Sequence, residues 1–312
     1  MKVKDTRAGL GYGIGAYLIW GAFPLFFTLI AVVNPFEVVS WRVVTTLLVC
    51  AVIVTVTRRW RRVGNVLKQP KTFGLFALSS ILLYANWQIF VIGVISGHVL
   101  ETSLGYFINP LFTILFGVIF WREKLSRLQW IAVVVAGTGV LFSAISYGKV
   151  PWIALGLALS FGLYGVVHQR IEEVDGVTGL TVETLVSVPI GLTQLAIVGS
   201  VAGLSAFSHG GVITALVLVS GLLTAVPLIL FGEAARRLPL TYVGFLQFLT
   251  PVLGFLFGYF IMHEELPIAR WIGFIAVWIA LMFLIADMIV RLRRSPSADL
   301  AHQPHTGPIP LD

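Results

Sequence analysis

Residues 110–125, PLFTILFGVIFWREKL, return 141 positions later as residues 251–266, PVLGFLFGYFIMHEEL. Pro110, Gly117, Glu123 and Leu125 map onto Pro251, Gly258, Glu264 and Leu266. The same offset takes Trp130 to Trp271, and Gly15 and Gly21 to Gly156 and Gly162. Seven identities in one unbroken register indicate two copies of one unit, and both copies are apolar almost throughout.

That apolarity fixes the solvent. The 312-residue chain is 58% apolar and 11% charged, with a mean hydropathy of +0.95. A soluble chain carries about 25% charged residues, and a disordered one needs low hydrophobicity with high charge. Ten apolar segments can be drawn, at 9–30, 37–57, 72–95, 99–121, 128–147, 150–168, 178–200, 211–232, 240–262 and 268–290. They are near the ~20 residues that span a bilayer as helix. A membrane barrel needs ~10-residue alternating segments instead. The first segment follows the basic start MKVKDTR. It is too long for a typical signal-peptide core, so it is expected as an uncleaved first helix. The expected fold is an all-α membrane protein of ten transmembrane helices in two inverted five-helix repeats, residues 1–147 and 148–290. Residues 291–312, with four prolines, are expected as a disordered cytoplasmic tail.

The charge pattern orients these helices. With both termini in the cytoplasm, eighteen of the twenty-one basic residues fall on the inner side, as the positive-inside rule requires. Lys149 and Arg270 fall outside, and Arg42 lies within a span. The basic run 58–71 reads as a lipid-headgroup anchor. An odd number of helices per unit makes the second copy enter from the opposite side, a recurrent design of secondary transporters. Transport is therefore the expected function, with a non-transporting membrane scaffold or sensor with a basic cytoplasmic face as the alternative.

Polar groups inside apolar spans are costly and mark candidate sites. Arg42 lies about five residues inside segment 37–57, near Glu37 but on another helix face. Glu101 is the expected partner of Arg42, as an outer gate or as a site for a charged substrate. Snorkelling of Arg42 to headgroups is the alternative. The offset maps Arg42 onto Glu183, a candidate for an inner gate or for holding a coupling proton. Its alternative is a structural pair with a loop arginine. Asn86, Trp87, Asn109 and Gln247 complete the candidates, with Tyr106, whose carbonyl Pro110 deprives of a helical donor. Cys50 is the only cysteine and six histidines are scattered, so neither a metal site nor a cofactor is expected. The chain has no GxxxxGK[ST] run, and an enzyme is not expected. The expected partners are a small-molecule substrate, a candidate coupling proton and the lipid bilayer, with no nucleic acid, as monomer or homodimer.

Several stretches resemble a known family. They are Trp20-Gly-Ala-Phe-Pro24, Asn86-Trp87, His98 to Pro110 (HVLETSLGYFINP) and Pro151 to Gly165 (PWIALGLALSFGLYG). They resemble the RarD group of the EamA-type drug/metabolite transporter superfamily, over residues 9–290. The resemblance implies a multi-pass protein of the bacterial plasma (inner) membrane that moves small metabolites or drugs as a permease or exporter, with chloramphenicol among the related compounds. His168-Gln169 departs from the more basic pattern expected there.

Overall fold

The computed structural model describes residues 6–96, 98–148, 150–171, 174–256, 259–260 and 268–298, and these are helical without strands. The helices are α1 (Thr6–Gly21), α2 (Phe23–Leu29), α3 (Pro35–Val56), α4 (Trp60–Leu67), α5 (Pro70–Ile95), α6 (Val99–Trp121), α7 (Arg127–Tyr147), α8 (Trp152–Gln169), α9 (Gly176–Val201), α10 (Gly211–Arg237), α11 (Leu240–Gln247), α12 (Leu249–Leu256) and α13 (Ile268–Ala298). Among the described residues, seven helical stretches are long and apolar enough to cross a membrane. Three shorter apolar stretches, Arg127–Phe142, Leu240–Leu253 and Trp271–Asp287, accompany them.

Local chemistry sets the ends and the breaks. Asn34, Ser126 and Asp175 cap α3, α7 and α9 by accepting the N–H groups of Phe36, Gln129 and Thr178, which lack helical partners. The expected single helix over 9–30 is broken at Ala22, where Pro24 opens α2; proline has no N–H to give and suits a first turn. The expected helix over 240–262 breaks at Phe248, three residues before Pro251. Gly258, Glu264 and Leu266 of the repeat lie outside the described residues. At the far end, α13 runs to Ala298, into the stretch expected as a disordered tail, and 299–312 lie outside the described residues. The basic run 58–71 is not all irregular. Its middle folds as α4, whose Val63 and Val66 are buried with Phe76 and Val182, while Arg58, Arg61, Lys68 and Lys71 stay exposed.

The helices pack in exchangeable pairs. α1 packs on α10 and α12, as α8 packs on α5 and α6. α3 packs on α10 and α9 packs on α5, while α3–α9, α6–α11 and α7–α13 join each helix to its own counterpart. Shifting every partner by the 141-residue offset turns this set into itself. Small residues permit the closest approaches. A Cβ at Gly21 would collide with Leu253, and one at Gly162 with Phe116. A Cβ at Gly221 would run into the Thr45 backbone, so α10 lies almost in backbone contact with α3.

Candidate functional site

α3 and α9 run antiparallel. Gln194, late in α9, donates to the Phe36 carbonyl early in α3 (2.8 Å). At the other end Arg59, just past α3, meets Asp175 at the start of α9 (2.8 Å). Arg42 and Glu183, related by the offset, therefore sit near opposite ends of this central pair.

Around Arg42 the interior is aromatic. Its guanidinium carbon lies 4.7 Å from the Trp87 ring centroid, 5.1 Å from Phe27 and 5.8 Å from Phe23. These are cation–π distances. Its Nε donates to Thr224 Oγ1 at 3.0 Å. Arg42 is 8% exposed. Tyr106 on α6 lies close enough to interact electrostatically with Arg42 and stacks edge-on with Phe90 at 6.0 Å. Tyr106 is nonetheless 41% exposed. Among the described residues α3 does not pack closely on α6.

Glu183 lies in a closed environment. Its Oε1 is 2.8 Å from His168 Nε2 and accepts the Ser79 hydroxyl. Ser80 donates to the Glu183 carbonyl at 2.9 Å and lies 2.6 Å from the Ser187 hydroxyl. The His168 ring sits 4.5 Å from Tyr164, which stacks on Phe231 at 5.2 Å. Tyr164 and Phe231 are 0% exposed. Neither Ser79 nor His168 stood among the sequence candidates. His168 had been visible only as a departure from the family pattern, and the structure makes it the partner of Glu183 in place of a loop arginine.

The remaining candidates divide between ties and an orphan. Glu37 is fully buried and accepts the N–H groups of Ser205 (2.8 Å) and Ala206 (2.9 Å), the Ser205 hydroxyl (3.0 Å) and Trp41 Nε1 (3.3 Å). Glu101 accepts the Ile153 N–H at 2.6 Å. The expected Arg42–Glu101 pair is not formed, because the start of α8 supplies an N–H with no helical partner. Glu123 does the same for Leu240 and Thr241 at the start of α11 (2.7 and 2.8 Å). Asn86 ties α5 to α8 through the Leu157 carbonyl (3.0 Å) and Ser160 (2.9 Å), and Gln247 ties α11 to Thr113 (3.0 Å). Asn109 Oδ1 and the Tyr164 hydroxyl are buried without a hydrogen-bond partner among the described residues. The structure thus unites Arg42, Trp87 and Tyr106, and adds Phe23, Phe27 and Thr224. The offset carries a signal for the rings, since it takes Phe23, Phe27 and Phe90 to Tyr164, His168 and Phe231.

Apolar helices closing around two polar interior clusters define a multi-pass helical membrane protein. The chain belongs to the EamA-like transporter family, and within it to the RarD group: the family profile matches residues 7–145 and again 149–286. Protein RarD of Streptomyces exfoliatus is 41% identical over 297 residues, covering 95% of this chain and 94% of that protein. The uncharacterized transporter YojE of Bacillus subtilis (strain 168) is 37% identical over 301 residues, covering 95% of this chain and all of that protein. A solved crystal structure of 16% identity superposes with a TM-score of 0.70 over 89% of this chain and 97% of its own, so the fold is shared. The family and the YojE relative are named as transporters, which are not enzymes.

Proposed function

We propose that the chain is a secondary transporter of small metabolites or drugs in the bacterial plasma membrane, working by alternating access between two inverted five-helix repeats. Ten crossings follow if α1 with α2 and α11 with α12 each count as one broken span and α4 lies at the surface. Both termini are then cytoplasmic, in keeping with the eighteen basic residues of the inner loops. The observation that carries the reading is the exchangeable packing: the main helix pairs, α1–α10 with α8–α5, α1–α12 with α8–α6 and α3–α10 with α9–α5, are counterparts in the two halves. Two near-equivalent packings give a shared interior two ways to open. In the present arrangement the Glu183 end is closed by Tyr164 and Phe231, while the Arg42 end keeps Tyr106 accessible. Glu183 and His168 are the pair for a coupling proton, and chloramphenicol is one candidate cargo.

The test replaces the buried Cys50 by Ala and introduces single cysteines, Tyr106→Cys or Tyr164→Cys. A membrane-impermeant thiol reagent is applied from each side, before and after adding a cargo found by comparing metabolites of cells lacking and overproducing the protein. Tyr106→Cys should react from outside and lose reactivity with cargo, and Tyr164→Cys should gain it from inside. Reaction of both from one side, or no solute flux in proteoliposomes, would return the chain to the scaffold or sensor reading.

A further inference from the structure

The acidic side chains of the described interior and its rims are engaged by donors. Glu37, Glu101 and Glu123 hold backbone N–H groups. Glu183 holds Ser79 with His168 beside it, and Asp287 accepts Ser126. Glu233 takes Arg236 and Arg237, and Asp175 takes Arg59 and Arg62. Arg42 stands apart from this ledger: it is buried, and among the described residues no carboxylate lies within ion-pair distance of it. An arginine cannot shed its proton, and taking its charge out of water is expensive unless an anion compensates. Three rings offset part of that cost. They accept none of its forked N–H bonds, though, and Nε alone is used, on Thr224. The two terminal nitrogens have no hydrogen-bond partner among the described residues. Their planar fork matches the two oxygens of a carboxylate.

We propose that the cargo itself supplies the missing anion: Arg42 binds the carboxylate of a small organic monoanion whose apolar or aromatic body lies against Trp87, Phe23 and Phe27. This rests on the transport reading and names its substrate class. The ring walls favour a weakly hydrated, partly apolar ion over a compact, strongly hydrated one such as inorganic phosphate. Tyr106, partly exposed and within electrostatic range of Arg42, would contact the same anion. The asymmetry with the other half has the same logic. Glu183 has its donors built in and needs no ligand, whereas Arg42 lacks an acceptor that a ligand can bring.

The experiment measures binding, independent of flux. The full chain in phosphatidylcholine nanodiscs is titrated with a panel of aromatic and alkyl monocarboxylates, each beside its neutral amide. Inorganic phosphate and uncharged chloramphenicol are added to the panel, and thermal unfolding and tryptophan fluorescence are the readouts. Acids should give a saturable rise in melting temperature that their amides and phosphate do not. Arg42→Gln should weaken the acid response about ten- to a hundred-fold and keep its own melting temperature. Arg42→Lys should retain part of the acid response. Equal responses to acid and amide, no response to any acid, or an unaltered acid response in Arg42→Gln would overturn the proposal. A response only to added anionic lipid, lost in Arg42→Gln, would overturn it in favour of a headgroup anchor. Acid-selective binding without flux for any acid would sink the transport reading, and the cargo role with it, and keep only the carboxylate site at Arg42.

Discussion

Arg42 and Glu183 occupy the same place in the two halves, and their surroundings have diverged. Glu183 is enclosed by Ser79, His168, Tyr164 and Phe231, and its Oε1 meets both the Ser79 hydroxyl and His168 Nε2. Arg42 is enclosed by Phe23, Phe27 and Trp87, which offset part of the cost of burying its charge and leave most of its donors unused. Even the backbone reports the symmetry. Ser80 meets Ser187 at one end, and Thr46 donates to the Gly221 carbonyl at its counterpart (3.2 Å). A repeated fold fixes where a polar group sits. Whether that group is structural or receptive depends on whether neighbouring side chains complete its hydrogen bonds.

The largest effect that can break this comparison is one of stability. Glu183→Ala strands His168 and Ser79 in the interior and should cost about 3 kcal/mol. Arg42→Gln removes an uncompensated charge and should change stability by less than about 1 kcal/mol. Thermal unfolding in one detergent checks both, and equal losses would show that Arg42 has a structural complement after all. Next is the close contact beside Arg42. Gly221→Ala drives a methyl into the Thr45 backbone, for about 2 kcal/mol and a slower exchange between cysteine accessibilities. At the matching position Ser80→Ala only deletes hydrogen bonds, which should cost about 1 kcal/mol and leave the exchange rate alone. The smallest effect concerns Asp175 and its counterpart Asn34. Burial pushes the Asp175 carboxyl up, but the Thr178 N–H and hydroxyl, with Arg59 and Arg62, outweigh it and hold it below the ordinary carboxylate range. The stability this gives is present above the ordinary value near ~3.9 and lost as pH falls through the lowered one. Asp175→Asn should therefore unfold about 1 kcal/mol more easily at neutral pH, a difference that vanishes in acid. Asn34→Asp should show no such loss, because among the described residues no cation pairs with it.

The spans were legible because lipid demands long apolar runs, and the fixed offset exposed Arg42 and Glu183 as counterparts. Partners were less legible. Charge alone pointed Arg42 at Glu101, but in a dry interior the unpaired N–H groups at a helix start compete for any carboxylate, and Ile153 takes it. The expected segment 150–168 ends on His168 with no partner assigned to it, yet α8 carries it one residue short of the helix end and its ring meets Glu183. The break at Phe248 could not be distinguished from the unbroken course of α6, since Pro110 and Pro251 are identical residues at equivalent positions. What differs is the packing around them.

Glu37, Glu101 and Glu123 belong to the first half of the chain, and the backbone amides they accept, at Ser205, Ala206, Ile153, Leu240 and Thr241, belong to the second. During synthesis these three acids are made before the groups that satisfy them. The amino-terminal half alone therefore leaves these three carboxylates without those donors, which only later segments of the chain supply.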